Sequence, residues 1–398
     1  LKPLDQGYQS SNQSRYLSSK NSEMARLLLL VANLAVAFAS VGVPIYTHDE
    51  AGYCWFFDPV LIHTDGALYA FSEAHKACAF ADTDWIDIVQ KTSADGGGTW
   101  SPLQVVVDAS ILHGVPRHTT FGNPSPIRGR RSLWMVSCVN NTDVVIQSSI
   151  DANSWSKPQN ITDQVLAQAW REGPPHWQNG IRWVATGPGG GLELASGRLI
   201  VVGDIQLPPT EHCNNPYVAS RLGDGRACTL AFAFFSDDQG RSWNYSRDLV
   251  LQGSESSVVQ LANGTLLMNT RNHDNPDGSR INQRWIARSD DDGSTWPQAW
   301  RWPINIAPES DCEASMVLLP SGTFGGEMLI MSHAWKATNN PTERGNMTLH
   351  TSSDAGKTWI YHSTVYAGLA SYSSLAVLNH THVGLLFNKD LGAKSETQ

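Results

Sequence analysis

Ser289-Asp-Asp291-Asp-Gly293-Ser-Thr295-Trp296 decides the fold, because the same turn recurs three more times along the chain. The copies are Ser93-Ala-Asp95-Gly-Gly97-Gly-Thr99-Trp100, Ser236-Asp-Asp238-Gln-Gly240-Arg-Ser242-Trp243 and Ser352-Ser-Asp354-Ala-Gly356-Lys-Thr358-Trp359. A fifth, Ser149-Ile-Asp151-Ala-Asn153-Ser-Trp155, is one residue short and lacks the glycine. Each copy follows a strand-like run, such as Ile86-Asp-Ile-Val-Gln90, Leu230-Ala-Phe-Ala-Phe234 or Met347-Thr-Leu-His350. Ser and Asp side chains can bond the turn's own amides, Gly supplies a positive φ, and Trp packs the hairpin onto its sheet. Between the copies lie short apolar strands broken by Gly, Asn, Asp and Pro, and no long amphipathic helical stretch occurs. Spacings of roughly 50 to 90 residues fit one or two four-stranded blades, which is the signature of a propeller rather than a sandwich.

Composition sets the outer limits. The chain has 398 residues, 41% hydrophobic and only 16% charged, with 15 Trp, so it can bury a sizeable core. One large domain is expected, because radially repeated all-β folds hold this much in one unit. A net charge of −9 leaves no basic stripe, which disfavours nucleic acid as a partner. Any anionic substrate must be held by local arginines.

Met24-Ala-Arg26, the apolar run Leu27 to Phe38 and the small-X-small site Ala37-Phe38-Ala39 read as a signal peptide over 24–39. The run is too short to span a bilayer. Residues 1–23 precede that Met and read as an upstream extension, leaving a propeller over 44–398. Six cysteines, Cys54, Cys78, Cys138, Cys213, Cys228 and Cys312, follow the cleavage point and suit an oxidising compartment. Only Cys213 with Cys228 is close enough in sequence to guess as a pair. No Cys-X-X-Cys occurs, so neither a metal nor a redox cofactor is expected, and turn bonding accounts for the acidic triplet Asp290 to Asp292. Sequons at Asn140, Asn160, Asn244, Asn263, Asn346 and Asn379 fit a secretory route. The protein is therefore expected to be secreted or lysosomal/vacuolar.

Segments between the turns resemble the sialidase (neuraminidase) family, most closely the lysosomal-type animal enzymes, over about residues 50 to 390. Phe71-Ser-Glu-Ala-His75 resembles the family's Phe-Ala-Glu-Ala-Arg, and Gly122-Asn-Pro124 its Gly-Asn-Pro. Ser254-Glu-Ser-Ser-Val-Val259 through Leu267-Met-Asn-Thr-Arg271 resembles the segment carrying the family's glutamate and one arginine. Arg344-Gly-Asn-Met-Thr-Leu349 resembles the strand bearing another arginine, and Ser371-Tyr372-Ser-Ser-Leu375 the tyrosine strand. The expected fold is all-β, a six-bladed β-propeller with Asp-box hairpin turns.

The resemblance implies an exo-α-sialidase, acting on terminal sialic acids or related 2-keto-3-deoxy sugar acids of glycans, glycoproteins or glycolipids. A substrate carboxylate on the anomeric carbon would repel a carboxylate nucleophile, and sialidases use tyrosine instead. Tyr372 is then the nucleophile, activated by Glu255 as base. Asp82 falls on the acid/base position, with Asp84 and Asp87 as neighbouring alternatives. Arg271 and Arg344 fill two of three positions that clamp the carboxylate by forked hydrogen bonds. Where the family has Arg-Ile-Pro, this chain reads Phe57-Asp58-Pro59, and His75 stands where the family has an arginine. A charged imidazole at His75 would partly replace that cation in an acidic compartment. Two other functions fit the same residues: a catalytically impaired glycan- or protein-binding propeller, and a hydrolase of a neutral sugar with Phe57 stacked on the ring.

Overall fold

The computed structural model describes residues 26–33, 42–78, 82–107, 119–166, 183–207, 228–251, 253–272, 284–297, 302–304, 306, 312–319, 326–335 and 344–389. These form antiparallel sheets, with one short helix at Thr162–Val165 and a 3-10 turn at Glu50–Gly52. The first sheet is the meander Trp55–Thr64, Ala67–His75, Ile86–Ser93 and Gln104–Val107. The second comprises Phe121–Arg128, Leu133–Val139, Asp143–Ser149 and Gln159–Asn160. A third is built on Leu199–Leu207 and Cys228–Ser236, and a fourth runs from Gly253–Gln260 through Leu266–Asn272 and Arg284–Ser289 to Trp302–Ile304.

The fifth sheet corrects the expected blade number: among the described residues there are five hydrogen-bonded sheets, not six blades. Its central strand, Ile360–Val377, is 18 residues long. Ile360–Leu369 pairs with Gly345–Thr351, while Ala370–Val377 pairs with His382–Lys389. One unbroken strand thus welds two sets of strands into a seven-stranded sheet. Length and spacing of turn motifs could not show that continuity, because the turn motifs lie outside this strand and Gly368, beside the join, reads as readily as a break between two strands.

Trp55–Thr64 meets Phe121–Arg128, which meets Leu192–Glu193 of the third sheet. Leu199–Leu207 then meets Gly253–Gln260, which meets Ala314–Leu319 of the fifth sheet, and Ile360–Val377 touches both Ala314–Leu319 and Trp55–Thr64 and closes the ring. Alternating apolar residues fill the space between sheets, as where Ile127, Val136, Val201, Phe232 and Phe234 form one buried cluster. Arg26–Asn33 lies between His382–Lys389 and Val43–Thr47 as an additional strand of the last sheet. The same residues belong to the expected leader, so cleavage after Ala39 would remove this strand.

The recurring turns are bonded as their chemistry requires. In one of them, Asp354 accepts from Ser352 Oγ at 2.8 Å, Thr358 N at 2.9 Å and Thr358 Oγ1 at 2.6 Å. Trp359 Nε1 donates to Gly356 O at 3.0 Å, and Gly356 has φ +77°. The same pattern recurs around Asp95, Asp238 and Asp291. Asp291 and its neighbour Asp290, which bonds Thr265 and Arg288, take part in this network. In the shortened copy, Ala152 takes the positive φ, and Trp155 Nε1 donates to Gln90 instead.

Candidate active site

Polar residues gather where four inner strands break register. Ladder pairing shifts between Phe57 and Val60, between Gly122 and Ser125, between Gly253 and Ser256, and between Ala370 and Ser373. Such bulges insert unpaired residues, bend the strand and re-aim side chains. The residues so released are Asp58, Asn123, Glu255 and Tyr372 with their chain neighbours. Asp58 and Asn123 carry the left-handed backbone, φ 45° and 52°.

Tyr372, Glu255, Arg271 and Arg344 are brought together. The Tyr372 hydroxyl donates to Glu255 Oε1. Arg271 Nη1 donates to Glu255 Oε2 at 2.6 Å and to the Tyr372 oxygen at 3.3 Å. The Arg344 guanidinium lies over the Tyr372 ring, 5.3 Å from its centroid. Burial alone would raise the Glu255 pKa, but Arg271 and the tyrosine hydrogen bond outweigh it and hold the carboxyl below its ordinary range. Burial, and then Glu255, push Tyr372 well above its ordinary value. The pair is therefore a neutral phenol donating to an ionised carboxylate.

Phe57 packs edge-to-face on Tyr372, with centroids 4.5 Å apart, in an apolar cluster with Cys54, Trp55, Cys312 and Ala334. Beside it Asp58 is 3% exposed; its Oδ2 accepts from Asn123 Nδ2 at 3.0 Å, and its Oδ1 has no hydrogen-bond partner. Burial, with the nearby charges of Glu73, Glu255 and Asp82, raises the Asp58 carboxyl well above its ordinary range. Asp82 itself is exposed on the rim, its main-chain oxygen accepting from Asn141. The two alternatives are tied into structure: Asp87 accepts from Tyr53 at 2.6 Å, and Asp84 bonds Thr120 through its backbone and Trp85 N through its side chain. His75 is buried with Nε2 3.1 Å from Glu73 Oε2, while Glu73 Oε1 accepts from Asn123 N. Its imidazole is thus directed at Glu73.

Three buried groups at this site escape a sequence reading. Asp204 on Leu199–Leu207 is raised well above its ordinary range, chiefly by burial and then by Glu255. Glu313, just ahead of Ala314–Leu319, is raised likewise. Arg284 is wholly buried and donates to Asn269 Oδ1 and Cys312 O, both at 2.7 Å. The available signal was an acidic or basic residue at the edge of an apolar strand, which has the same appearance when solvated. Cys54 and Cys78 form a disulfide that sequence spacing did not single out; Cys138 and Cys312 are free and buried. The pair Cys213 with Cys228 lies outside the described residues, as does the Cys228 side chain.

A profile described as BNR repeat-like domain matches residues 66–385, so the chain belongs to that family of repeat-built β proteins. Within it, the chain is a relative of the sialidases. It is 25% identical over 88% of its length to a sialidase of Bacteroides fragilis, and 26% identical over 90% to one of Micromonospora viridifaciens. It is also 26% identical to human sialidase-4 over 64% of its length. The chain spans 63%, 55% and 52% of those relatives. Among solved structures it resembles a Hadza microbial sialidase, with TM-score 0.69 and 20% identity over 89% of this chain and 68% of that one. Trypanosoma rangeli sialidase is also similar, with TM-score 0.62 and 18% identity over 88% of this chain and 56% of that one. At such identities the structures speak for the fold. Among the described residues, no helix is long and apolar enough to cross a membrane.

Proposed function

We propose that the chain is an exo-α-sialidase or a hydrolase of a closely related 2-keto-3-deoxy sugar acid, retaining through a covalent bond to Tyr372. The observation that carries this reading is the Tyr372–Glu255–Arg271 contact, which couples a phenol to an ionised carboxylate held by a cation. A phenol is a weak nucleophile until its proton has somewhere to go. As the Tyr372 oxygen bonds the anomeric carbon, its proton passes to Glu255. Asp82 gives its proton to the departing glycosidic oxygen, then takes one from the water that attacks the anomeric carbon, while the bond to Tyr372 breaks and Glu255 returns the phenol's proton. Arg344 and Arg271 hold the substrate carboxylate. His75 acts on Glu73, at one remove from the sugar.

The natural partners are sialylated glycans, glycoproteins or glycolipids, met in the secretory pathway, outside the cell or in an acidic organelle. Tyr372→Phe should abolish turnover of a fluorogenic α-sialoside while leaving the thermal transition within a few degrees of wild type. A folded Phe variant with wild-type turnover would end the mechanism.

A second reading is favoured by Phe57, whose packing against Tyr372 leaves two arginines, one already engaged by Glu255. On that reading the chain binds glycans without cleaving them. Assays of an α-sialoside, a sugar-acid analogue and a neutral-sugar analogue at mildly acidic and neutral pH separate the alternatives.

A further inference from the structure

Glu313 has no place in the chemistry above, yet it touches the strand of the proposed nucleophile. Its side chain is 1% exposed, and Oε2 accepts the backbone N–H of Ser373 at 2.9 Å. Ser373 directly follows Tyr372 and is where ladder pairing resumes beyond the bulge that begins at Ala370. Within such a bulge the ladder cannot fix the backbone, so whatever holds its far end also sets the aim of the side chain inside it.

Glu313 is itself held on both sides. Arg284 Nη1 donates to Cys312 O at 2.7 Å, while Ser257 Oγ and Asn269 Nδ2 donate to Ala314 O at 3.1 and 3.2 Å. The carboxyl is therefore a fixed strut reaching from one inner strand to the next. The Ser373 side chain is secured separately, through Ser332 Oγ at 2.9 Å. Oε1 is buried with no hydrogen-bond partner, 3.9 Å from where a Cβ on Gly189 would stand.

We infer that Glu313 is the positioning residue of Tyr372, pinning the backbone beyond the bulge so that the phenol meets Glu255. This rests on the reading of Tyr372 as nucleophile. The strut also has an electrostatic condition. Facing it are Glu255, Arg271 and Arg284 from the fourth sheet, the Ser373 amide from the fifth, and the Cys312 thiol beside it. Burial favours its neutral form, which leaves Glu255 as the carboxylate beside the phenol. Ionisation at higher pH would set a second negative charge against Glu255 and weaken the pair.

Two variants test this, read by steady-state turnover of the α-sialoside across pH and by hydrogen exchange at the Ser373 amide. Glu313→Ala should lower kcat on the order of tenfold or more with KM little changed, and should speed exchange at Ser373. Glu313→Gln keeps the acceptor and should restore both, while moving the alkaline limb of the kcat profile to higher pH. Wild-type kcat and exchange in folded Glu313→Ala, or a loss confined to KM, would overturn the proposal. If the alanine variant does not fold, a Glu313→Gln profile that overlays the wild type overturns it. A wild-type protein with no turnover on any sugar acid defeats the sialidase reading instead, while exchange at Ser373 still decides whether Glu313 pins the strand.

Discussion

Raising the pH from about 5 to about 8 should destabilise this protein, against the usual expectation that stability is nearly level there. Asp58, Asp204 and Glu313 are 3%, 2% and 1% exposed, and in each case burial is the main reason that the carboxyl is raised well above its ordinary range. Unfolded, the two aspartates ionise near 3.8 and the glutamate near 4.5. The folded chain therefore holds more protons than the unfolded one above those values. Their contribution is complete below the unfolded pKa values and is lost as pH climbs through the raised ones. Each group costs about 1.4 kcal/mol per pH unit in that window, so three together give a slope of about 4 kcal/mol per unit at the steepest.

The acid limb runs the other way. Hydrogen bonds from Ser242 and Ser236 overcome the opposing effect of burial and hold Asp238 at about 2, and Glu255, Asp291 and Asp354 are also lowered. Their contribution is present above the ordinary carboxylate range and is lost as pH falls through the lowered values. Stability should accordingly peak at mildly acidic pH. Urea unfolding at constant ionic strength across this range measures it, with Asp58→Asn, Asp204→Asn and Glu313→Gln each expected to remove about one proton from the alkaline slope. A wild-type midpoint that is flat or rising towards pH 8, or amide variants that run parallel to it, would refute the reasoning.

Phe57→Arg should lower stability by about 2 to 4 kcal/mol, because a charge enters an apolar cluster, and should tighten the KM for a sugar acid by on the order of tenfold; a folded variant with unchanged KM would show that the carboxylate does not face this side. Asp354→Ala removes three hydrogen bonds from a largely exposed turn and should cost about 1 to 3 kcal/mol by calorimetry, with the kinetic constants unchanged. Replacing Cys54 and Cys78 by Ser opens a link across 24 residues and should cost about 3 kcal/mol, read as a lower unfolding midpoint, with a loss of turnover because Cys54 packs in the Tyr372 cluster.

What the sequence determined was local. The turn Ser-X-Asp-X-Gly-X-Thr-Trp dictates its own hydrogen bonds within eight residues, so hairpins, antiparallel sheets and the propeller class follow from it. Tyr372, Glu255, Arg271 and Arg344 were legible because each sits in a stretch that resembles a known family, and the structure does bring them together. Tertiary structure decided what depends on distance along the chain. The continuity of Ile360–Val377 reduces six expected blades to five sheets among the described residues, because the strand changes partner between Leu369 and Ala370 without ending. That His75, read as a cation for the substrate, has Glu73 as its hydrogen-bond partner was likewise not legible, since the direction of a side chain on a strand is set by the ladder around it. Asp58, Asp204 and Glu313 matter for the same reason: a solvated carboxylate in a loop and a carboxyl buried among strands are spelled alike, and only burial gives the second its raised pKa.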